Sequence, residues 1–132
     1  MKTFRDQLNN SIYLKKRPSR IISLVPSQTE LLSELGLESE IIGITKFCIH
    51  PNHLKSQKEI IGGTKKINLQ KIIELNPDLI IANKEENAKE DIELLQKLYP
   101  VWISNIFNVN DLNLMINCFG EIFEIEQKAK TL

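Results

Sequence analysis

The chain has 132 residues, of which 42% are apolar and 26% charged, a composition typical of one globular domain. Lysine plus arginine and aspartate plus glutamate are equal at 17 each, so the chain lacks the basic excess of nucleic-acid-binding proteins and we expect no nucleic-acid partner. Residues 1–10 show no secretory signal and no apolar run reaches membrane-spanning length, which predicts a cytoplasmic protein. Its two cysteines, Cys48 and Cys118, are then expected to be reduced thiols.

A short hairpin is predicted at the N-terminus. Asn9 and Asn10 are residue types that accept positive φ in a tight turn. The flanking segments 4–8 and 11–14 can pair as two strands, and Pro18 follows them. Residues 1–19 are therefore interpreted as a β-hairpin.

The rest of the chain is organised around RIISLVPSQTELLSEL, residues 20–35. This segment starts with an apolar, β-branched run, which is typical of a strand buried on both faces, and Pro26 ends the run. Ser27 and Glu30 have the spacing of a capping box, which predicts a helix capped by Ser27. Gly36 follows the last leucine of the repeat and is expected to end the helix.

Strands and helices alternate after this segment. Short apolar runs predict strands over residues 41–45, 58–61, 78–83 and 100–104. Helical periodicity and capping residues predict helices over residues 69–75, 84–98 and 110–132. This alternation indicates a three-layer, Rossmann-like α/β fold in which a mostly parallel sheet lies between helices.

Four blocks of the sequence resemble one known family. They are RIISLVPSQTELL, IIGITKFCIHP, GGTKKINLQKIIELNPDLIIAN and PVWIS, and the P-S-x-T-E turn and the N-L-x-x-I-x-x-L-x-P-D-L-I-I pattern are their most specific parts. These blocks resemble the helical-backbone substrate-binding proteins, the cobalamin and ferric-siderophore receptors of ABC importers. The resemblance implies a small-molecule binding module rather than an enzyme, with a corrinoid or iron chelate as ligand and an ABC permease as partner.

The resemblance also implies a division of the chain. Receptors of this family have two Rossmann-like lobes joined by one long helix, and they hold the ligand in the cleft between the lobes. The chain, residues 1–132, resembles the N-terminal lobe, with a hairpin over 1–19, an α/β core over 20–106 and the start of the long helix over 107–132. One lobe supplies one wall of such a cleft. Members of the family usually work outside the cytoplasm.

Individual positions can be compared with the family pattern. Where cobalamin binders place an aromatic residue against the ligand the chain has Phe47, and His50 occupies a second aromatic position of that loop. The ligand-facing tryptophan of those proteins aligns with Thr64, and the acidic residue that docks on the permease aligns with Gln70. These two departures predict a weaker preference for cobalamin and weaker docking on a permease.

The candidate ligand site follows from the strand order. In an open parallel sheet, ligands collect beyond the carboxyl ends of the strands, where the connecting loops meet. The residues expected to form the cleft wall are Ser27, Gln28, Thr29, Phe47, His50, Thr64, Lys65, Glu86 and Asn87. Lys65 and Lys66 could also meet an anionic group of the ligand. Binding requires a shaped cleft and hinge closure, so no catalytic residue is assigned.

A second hypothesis rests on the pattern C-x-H-x-x-H, formed by Cys48, His50 and His53. Thiolate and imidazole are good ligands of zinc and similar metals, although this pattern lacks a fourth ligand. The alternative function is therefore a cytoplasmic metal-binding protein or enzyme that uses Cys48 and His50. A third hypothesis is a folded lobe that has no binding role of its own.

The last predicted helix carries a stripe of large apolar residues, Met115, Phe119, Ile122 and Phe123. In a receptor of two lobes this face would pack against both lobes, whereas here part of it is without a partner. A large exposed apolar stripe favours self-association. We therefore predict a homodimer through the C-terminal helix.

Overall fold

The computed structural model describes residues 2–131, in which strands and helices alternate. The strands are β1 (Lys2–Arg5), β2 (Ser11–Leu14), β3 (Ile21–Ser23), β4 (Ile41–Ile44), β5 (Glu59–Ile60), β6 (Leu79–Asn83) and β7 (Val101–Ser104). The helices are α1 (Pro26–Glu34), α2 (Leu54–Gln57), α3 (Leu69–Leu75), α4 (Lys89–Leu98), α5 (Val109–Ile122) and α6 (Glu126–Lys130). Over this part of the chain, no helix combines the length and the hydropathy that crossing a bilayer requires.

Five strands form one sheet in the order β5-β4-β3-β6-β7, and every neighbouring pair is parallel. The central strand β3 is fully buried because both faces of the sheet are covered. Successive side chains of a strand point to opposite faces, so Ile21 packs in one apolar cluster with Phe119, and Ile22 packs in another with Ile72. The predicted three-layer α/β fold with a parallel sheet is therefore confirmed.

The predicted N-terminal hairpin is also confirmed, with β1 and β2 paired antiparallel. Asn9 takes a φ of 65° in the turn, as its residue type allows. Buried Asp6 fixes the turn by accepting a hydrogen bond of 2.8 Å from the Asn10 amide. The amide of Gln7 donates to the carbonyl oxygen of Ile103 at 3.0 Å, so the hairpin turn adjoins β7.

Helix α1 begins earlier than predicted. Its N-cap is Val25, and no side chain caps the helix, so the predicted capping box of Ser27 and Glu30 is wrong. Pro26 explains the difference, because its fixed φ and missing N–H suit the first position of a helix. Gly36 follows the helix with a φ of 81°, which confirms the predicted end.

Helix α4 begins later than predicted, at Lys89, and residues 84–88 form a turn instead. The cause is Asn83, whose Oδ1 accepts hydrogen bonds from the amides of Glu85 (2.9 Å) and Glu86 (3.0 Å). Local bonds from a side chain to the backbone compete with helix formation. Residues 84–88, the first turn of the predicted helix over 84–98, therefore form a loop.

The helix predicted over 110–132 is two helices in the structure. Helix α5 starts after Asn108, whose side chain caps it by accepting from the Asp111 amide at 2.9 Å. It ends at Ile122, because Glu124 has a φ of 57° and turns the chain. Helix α5 is therefore shorter than the predicted helix, and the chain changes direction after it.

Helix α6 packs back against α5. A Cβ atom on Gly120 would come within 2.9 Å of the Ala129 Cβ, so glycine permits this close contact. The stripe predicted to be exposed is buried in this arrangement, at Met115, Phe119, Ile122 and Phe123. Different apolar residues are exposed on α5 or just before it: Phe107, Val109, Leu112 and Leu114.

Candidate functional site

All five strands of the sheet run in the same direction, so the loops that follow them lie at one edge, which we call the carboxyl edge. These loops comprise residues 24–25, 45–53, 61–68, 84–88 and 105–108. The nine residues predicted to form the site occur in these loops or in the first turn of α1. The structure therefore places them all near this edge, but burial and hydrogen bonding divide them into separate groups.

Two of the predicted residues, Gln28 and Thr29, are buried. The Thr29 hydroxyl lies 2.8 Å from Ser23 Oγ and 2.9 Å from the carbonyl oxygen of Val25. The side-chain amide of Gln28 donates to the Ser104 hydroxyl, and its Oε1 has no partner among the described residues. Both side chains therefore connect α1 to the strands of the sheet.

Asn87 is also buried, with 2% of its surface exposed. Its Oδ1 accepts from the Asn83 amide at 2.8 Å, and its Nδ2 donates to the carbonyl oxygens of Leu24 (3.1 Å) and Thr64 (3.0 Å). One side chain thus joins the loops that follow β3, β5 and β6. We call the polar side chains at these strand ends the polar network. Its members are the half-buried Asn83 and the buried Gln28, Thr29, Asn87 and Ser104.

A cleft of about 730 Å³ lies beside the loop after β4, and Lys46, Phe47 and residues 62–69 form its walls. Phe47 is 53% exposed, so its ring is available to a ligand. Thr64 and Lys65 belong to the turn after β5. Of the predicted site residues, the structure therefore brings Phe47, Thr64 and Lys65 together in one cleft.

Two glycines give the turn after β5 its shape. Gly62 has a φ of 109°, and a Cβ atom there would come within 2.7 Å of the carbonyl oxygen of Lys66, so a larger residue would be strained. The amide of Gly63 closes the turn by donating to the same carbonyl oxygen at 2.9 Å. A Cβ atom on Gly63 would lie 3.3 Å from the Phe47 ring, so this ring packs over the turn.

Ser27, His50 and Glu86 are exposed and do not line the cleft. The nine predicted residues are thus three in the cleft, three exposed outside it and three in the polar network. Lys46 is a cleft residue that the sequence reasoning missed. Its position next to Phe47 is the signal that could have found it.

Cys48 and His50 do not form a common site. The Cys48 thiol is fully buried, 3.2 Å from Thr29 Oγ1 and 3.3 Å from Thr45 Oγ1, whereas His50 is exposed. Within residues 2–131, no group of three or more His, Cys, Asp or Glu side chains could hold a metal ion. The alternative of a metal-binding protein or enzyme is therefore not favoured.

Glu38 and Cys118 are side chains of types that metal sites and enzymes use, and both have clearly shifted pKa values. Neither of them lines the cleft. Hydrogen bonds from Ser33 and His53 lower the pKa of Glu38, which precedes β4 and lies at the opposite edge of the sheet. The loop after β4 therefore leaves the carboxyl edge before it reaches His53, whose ring nitrogen lies 2.6 Å from the Glu38 carboxylate. Burial raises the pKa of the Cys118 thiol on α5 to about 11. A thiol with so high a pKa is a poor nucleophile at neutral pH, so Cys118 does not suit catalysis.

Known proteins match this chain over most of its length. The family model described as periplasmic binding protein matches residues 21–132. An uncharacterized ABC transporter substrate-binding lipoprotein of Bacillus subtilis is 31% identical over 136 aligned positions, which cover 98% of this chain and 42% of the relative. A vitamin B12-binding protein of Vibrio vulnificus is 34% identical over 104 positions, which cover 77% of this chain and 38% of the relative.

The fold also occurs in a solved structure, the petrobactin-binding protein of Bacillus subtilis. The two structures share a TM-score of 0.86 at 24% identity, and the match covers 98% of this chain and 47% of the other. The chain thus spans less than half the length of each of these proteins.

These findings correct the predicted location and give the family. The N-terminal residues predict a cytoplasmic protein, but a relative is named a lipoprotein and the family model is described as periplasmic. The cytoplasmic prediction is therefore wrong, and the findings point to an extracytoplasmic location. The resemblance seen in the sequence blocks is confirmed, and the chain belongs to the periplasmic binding protein family.

Proposed function

We propose that this chain binds a metal chelate or a corrinoid-like small molecule, as one lobe of a receptor that serves an ABC importer. The observation that carries the proposal is the cleft at the carboxyl edge, where Phe47 is 53% exposed beside a volume of about 730 Å³. An exposed aromatic ring in a cleft of this size offers apolar contact to a ligand. The vitamin B12-binding relative supports a corrinoid or another chelate as the ligand class.

The predicted site residues take three roles in this proposal. Phe47, Thr64 and Lys65 contact the ligand inside the cleft. Ser27, His50 and Glu86 meet parts of the ligand that extend beyond the cleft. Gln28, Thr29 and Asn87 hold the loops through the polar network. Because binding breaks no covalent bond, the proposal includes no catalytic residue, in keeping with a family of binding proteins.

We propose that the chain forms one lobe and supplies one wall of the ligand site. Its parts are the hairpin over 1–19, the α/β core over 20–106 and, over 107–132, the start of a helical connection to a second lobe. The match covers 47% of the solved petrobactin-binding protein, so the rest of that protein is long enough to form a second lobe of similar size.

An ABC permease is the proposed protein partner, because the Bacillus subtilis relative is named an ABC transporter substrate-binding lipoprotein. The contact would involve the first turn of α3, where Gln70 is exposed. A neutral amide pairs more weakly with an arginine than a carboxylate does. We therefore expect weak docking, which the substitution Gln70→Glu should strengthen.

We also propose a homodimer through α5, although by a different face from the predicted one. Two exposed apolar residues, Phe107 (75% exposed) and Leu114 (61% exposed), line one cavity there. Arg5, Asp111 and Glu121 line the same cavity, so a two-fold contact could pair opposite charges around an apolar centre. Sedimentation of a dimer that Leu114→Asp converts to a monomer would support this contact, and a monomeric wild-type chain would refute it.

The ligand proposal is tested by a thermal-shift screen followed by calorimetric titration. The compounds are cyanocobalamin, a hexadentate ferric tris-catecholate and zinc chloride, and a ligand that binds only the folded chain raises Tm. We expect a shift with cyanocobalamin or with the chelate. Phe47→Ala should weaken that ligand about fivefold, because burying part of an aromatic ring contributes about 1 kcal/mol.

Phe107→Ala is the matched control, because Phe107 is an exposed aromatic residue that does not line the cleft. Its loss should leave ligand affinity unchanged. Unchanged affinity in both Phe47→Ala and His50→Ala would refute the site. A shift with zinc alone that Cys48→Ser abolishes would support the metal-binding alternative, and no shift with any compound would refute the proposed function.

A further inference from the structure

We propose that the cavity between the hairpin turn, the end of β7 and α5 is a second binding site, which takes a zwitterionic amino acid or short peptide with an apolar side chain. We call it the α5 cavity. It has a volume of about 470 Å³ and shares no lining residue with the cleft beside Phe47. The inference therefore goes beyond the proposed function and does not depend on it.

The walls of the α5 cavity are held in place by the side chain of Gln7. Its Nε2 donates to the carbonyl oxygen of Asp111 at 2.8 Å, which joins the hairpin turn to α5. Its Oε1 accepts from the amide of Asn105 at 2.8 Å, which joins the same turn to the loop after β7. The cavity is therefore formed before a ligand arrives, as is usual for small-molecule sites.

One face of α5 forms the longest wall. Leu114, Asn117, Cys118 and Glu121 line the cavity at the i, i+3, i+4 and i+7 spacing of residues on one side of a helix. Seven residues of α-helix extend over about 10 Å, which separates the Leu114 end of this wall from the Glu121 end. The wall therefore suits an elongated ligand that is charged at one end and apolar at the other.

Opposite charges lie at one end of the cavity. Arg5 and Glu121 both line it, and neither belongs to the ion pairs found among residues 2–131. The carbonyl oxygen of Arg5 lies 3.8 Å from the Cys118 Sγ, so the Arg5 backbone lies within about one helical turn of Glu121. The two opposite charges of a zwitterion can pair with the guanidinium of Arg5 and the carboxylate of Glu121.

Two further carboxylates line the cavity, but hydrogen bonds already use them. Asp6 accepts from two backbone amides of the hairpin turn, at 2.8 and 2.9 Å, and Asp111 accepts from the amide of Phe107 at 2.9 Å. Burial, followed by repulsion from Glu121 and Asp6, raises the pKa of the Cys118 thiol to about 11. Glu121 thus acts on the inside of the cavity and is the carboxylate that remains for an ammonium group.

The floor of the cavity lacks a good hydrogen-bond acceptor. Trp102 lines the cavity, and its buried indole N–H has no partner of normal geometry among the described residues. This N–H lies against the Cys118 thiol, whose sulfur is a weak acceptor. After a rotation of the Cys118 side chain, a carboxylate oxygen of the ligand would supply the missing acceptor.

The other end of the cavity is apolar. Phe107 is 75% exposed and Leu114 is 61% exposed, so an apolar side chain of the ligand would remove their surfaces from water. Asn105 and Asn117 also line the cavity. A side-chain amide both donates and accepts hydrogen bonds, which matches the peptide group of a short peptide.

The test uses Trp102, the only tryptophan of the chain, as a fluorescent reporter beside calorimetric titration. L-phenylalanine is compared with L-phenylalaninamide, which lacks the carboxylate, and with N-acetyl-L-phenylalanine, which lacks the ammonium group. We expect L-phenylalanine to change the fluorescence and to bind about two- to fivefold more tightly than either analogue, because each analogue loses one ion pair.

Two variants assign the charges. Arg5→Gln should abolish the preference over L-phenylalaninamide and keep the preference over N-acetyl-L-phenylalanine, and Glu121→Gln should do the reverse. Both side chains are exposed, so the variants should fold. Lys97→Gln and Glu90→Gln are the matched controls, because these exposed residues of α4 do not line the cavity, and they should alter neither preference.

The outcomes separate this inference from the proposed function. Absence of L-phenylalanine binding, or equal affinity for the three compounds, would overturn the inference. Phe47→Ala should leave L-phenylalanine binding unchanged, and a loss in that variant would move the ligand to the cleft and also overturn it. Cyanocobalamin and the ferric chelate judge the proposed function, so either proposal can fail alone. Because the proposed homodimer uses the same face, L-phenylalanine should also lower the dimer fraction in sedimentation.

Discussion

The two sides of the carboxyl edge use polar residues in opposite ways. On the side of β3, β6 and β7, each residue of the polar network bonds to another member or to the backbone. Asn87 alone makes three hydrogen bonds and is 2% exposed. On the side of β4 and β5, Phe47, Lys65 and their neighbours line an open cleft. A polar residue at a strand end is thus a candidate ligand contact only where the fold leaves its hydrogen-bonding groups unused.

Sheet order explains part of this asymmetry. β5 is an edge strand of two residues whose sole neighbour in the described sheet is β4, so the turn after it has an open side. β3 and β6 are interior strands, and the loops after them are linked by the Asn87 side chain. β7 is also an edge strand, but the hydroxyl of Ser104 at its end is held by hydrogen bonds with Gln28 and Asn83. The hydrogen bonds at each strand end, together with its position in the sheet, therefore determine which loops can meet a ligand.

Among the residues at the carboxyl edge, the largest effect on stability is expected from Asn87→Ala. Removing this side chain leaves buried groups of three loops without partners, which should lower the free energy of unfolding by about 2–4 kcal/mol. Urea denaturation measures the change. Glu86→Ala is the matched control, because this neighbouring side chain is exposed, and it should change stability by less than about 0.5 kcal/mol. Equal losses of stability in Asn87→Ala and Glu86→Ala would contradict a structural role for the Asn87 side chain.

Gly62→Ala tests whether the backbone conformation of the turn after β5, rather than its side chains, determines the shape of the cleft. The φ of 109° and the contact of 2.7 Å with Lys66 predict a loss of about 1–3 kcal/mol, measured by thermal unfolding. Gly63→Ala should cost less, because its Cβ atom would meet the movable ring of Phe47. A larger loss at Gly63 than at Gly62 would contradict this account of the turn.

Thr29→Val examines one hydroxyl of the polar network with little change in shape. The buried hydroxyl contacts Ser23, Val25 and Cys48, so its loss should destabilise the chain by about 1–2 kcal/mol in urea. Thr29→Ser keeps the hydroxyl and should retain more of the stability. If the valine variant were as stable as the wild type, the network would not hold α1.

Phe47→Ala should have the smallest effect on stability, below about 0.5 kcal/mol, although it weakens ligand binding. The reason is that the ring is 53% exposed and contributes little to the core. Phe119→Ala, which removes a fully buried ring, should cost about 3–5 kcal/mol in the same denaturation experiment. A large loss of stability in Phe47→Ala would assign that ring to the fold instead of the ligand site.

Local sequence patterns predict the elements of this fold well. The hairpin at Asn9, the buried strand β3 and the helix over 69–75 depend on neighbouring residues, and all three are present. The side chain of Asn68 caps that helix by accepting from the Lys71 amide. The start of α1 is missed because two signals overlap, Pro26 as a first helical residue and Ser27 as a cap. The end of α5 is missed because the apolar pattern continues through the bend at Glu124.

The candidate site was harder to predict, because burial depends on partners distant in sequence. Glu86 and Asn87 are adjacent polar residues, yet one is exposed and the other bonds to Leu24, 63 positions away. Cys48 and His50 are likewise close in sequence, but only the thiol turns into the core. Spacing places a residue near the carboxyl edge and cannot show whether the fold satisfies its polar groups.

Nuclear magnetic resonance can measure which residues at the carboxyl edge respond to a ligand. Cyanocobalamin and a gallium tris-catecholate are suitable because both are diamagnetic. Titration of the ¹⁵N-labelled chain should shift the amide signals of Phe47, Thr64 and Lys65, while those of Thr29 and Ser104 change little. Shifts centred on the polar network or on α5, with the cleft signals unmoved, would show that the ligand site lies elsewhere.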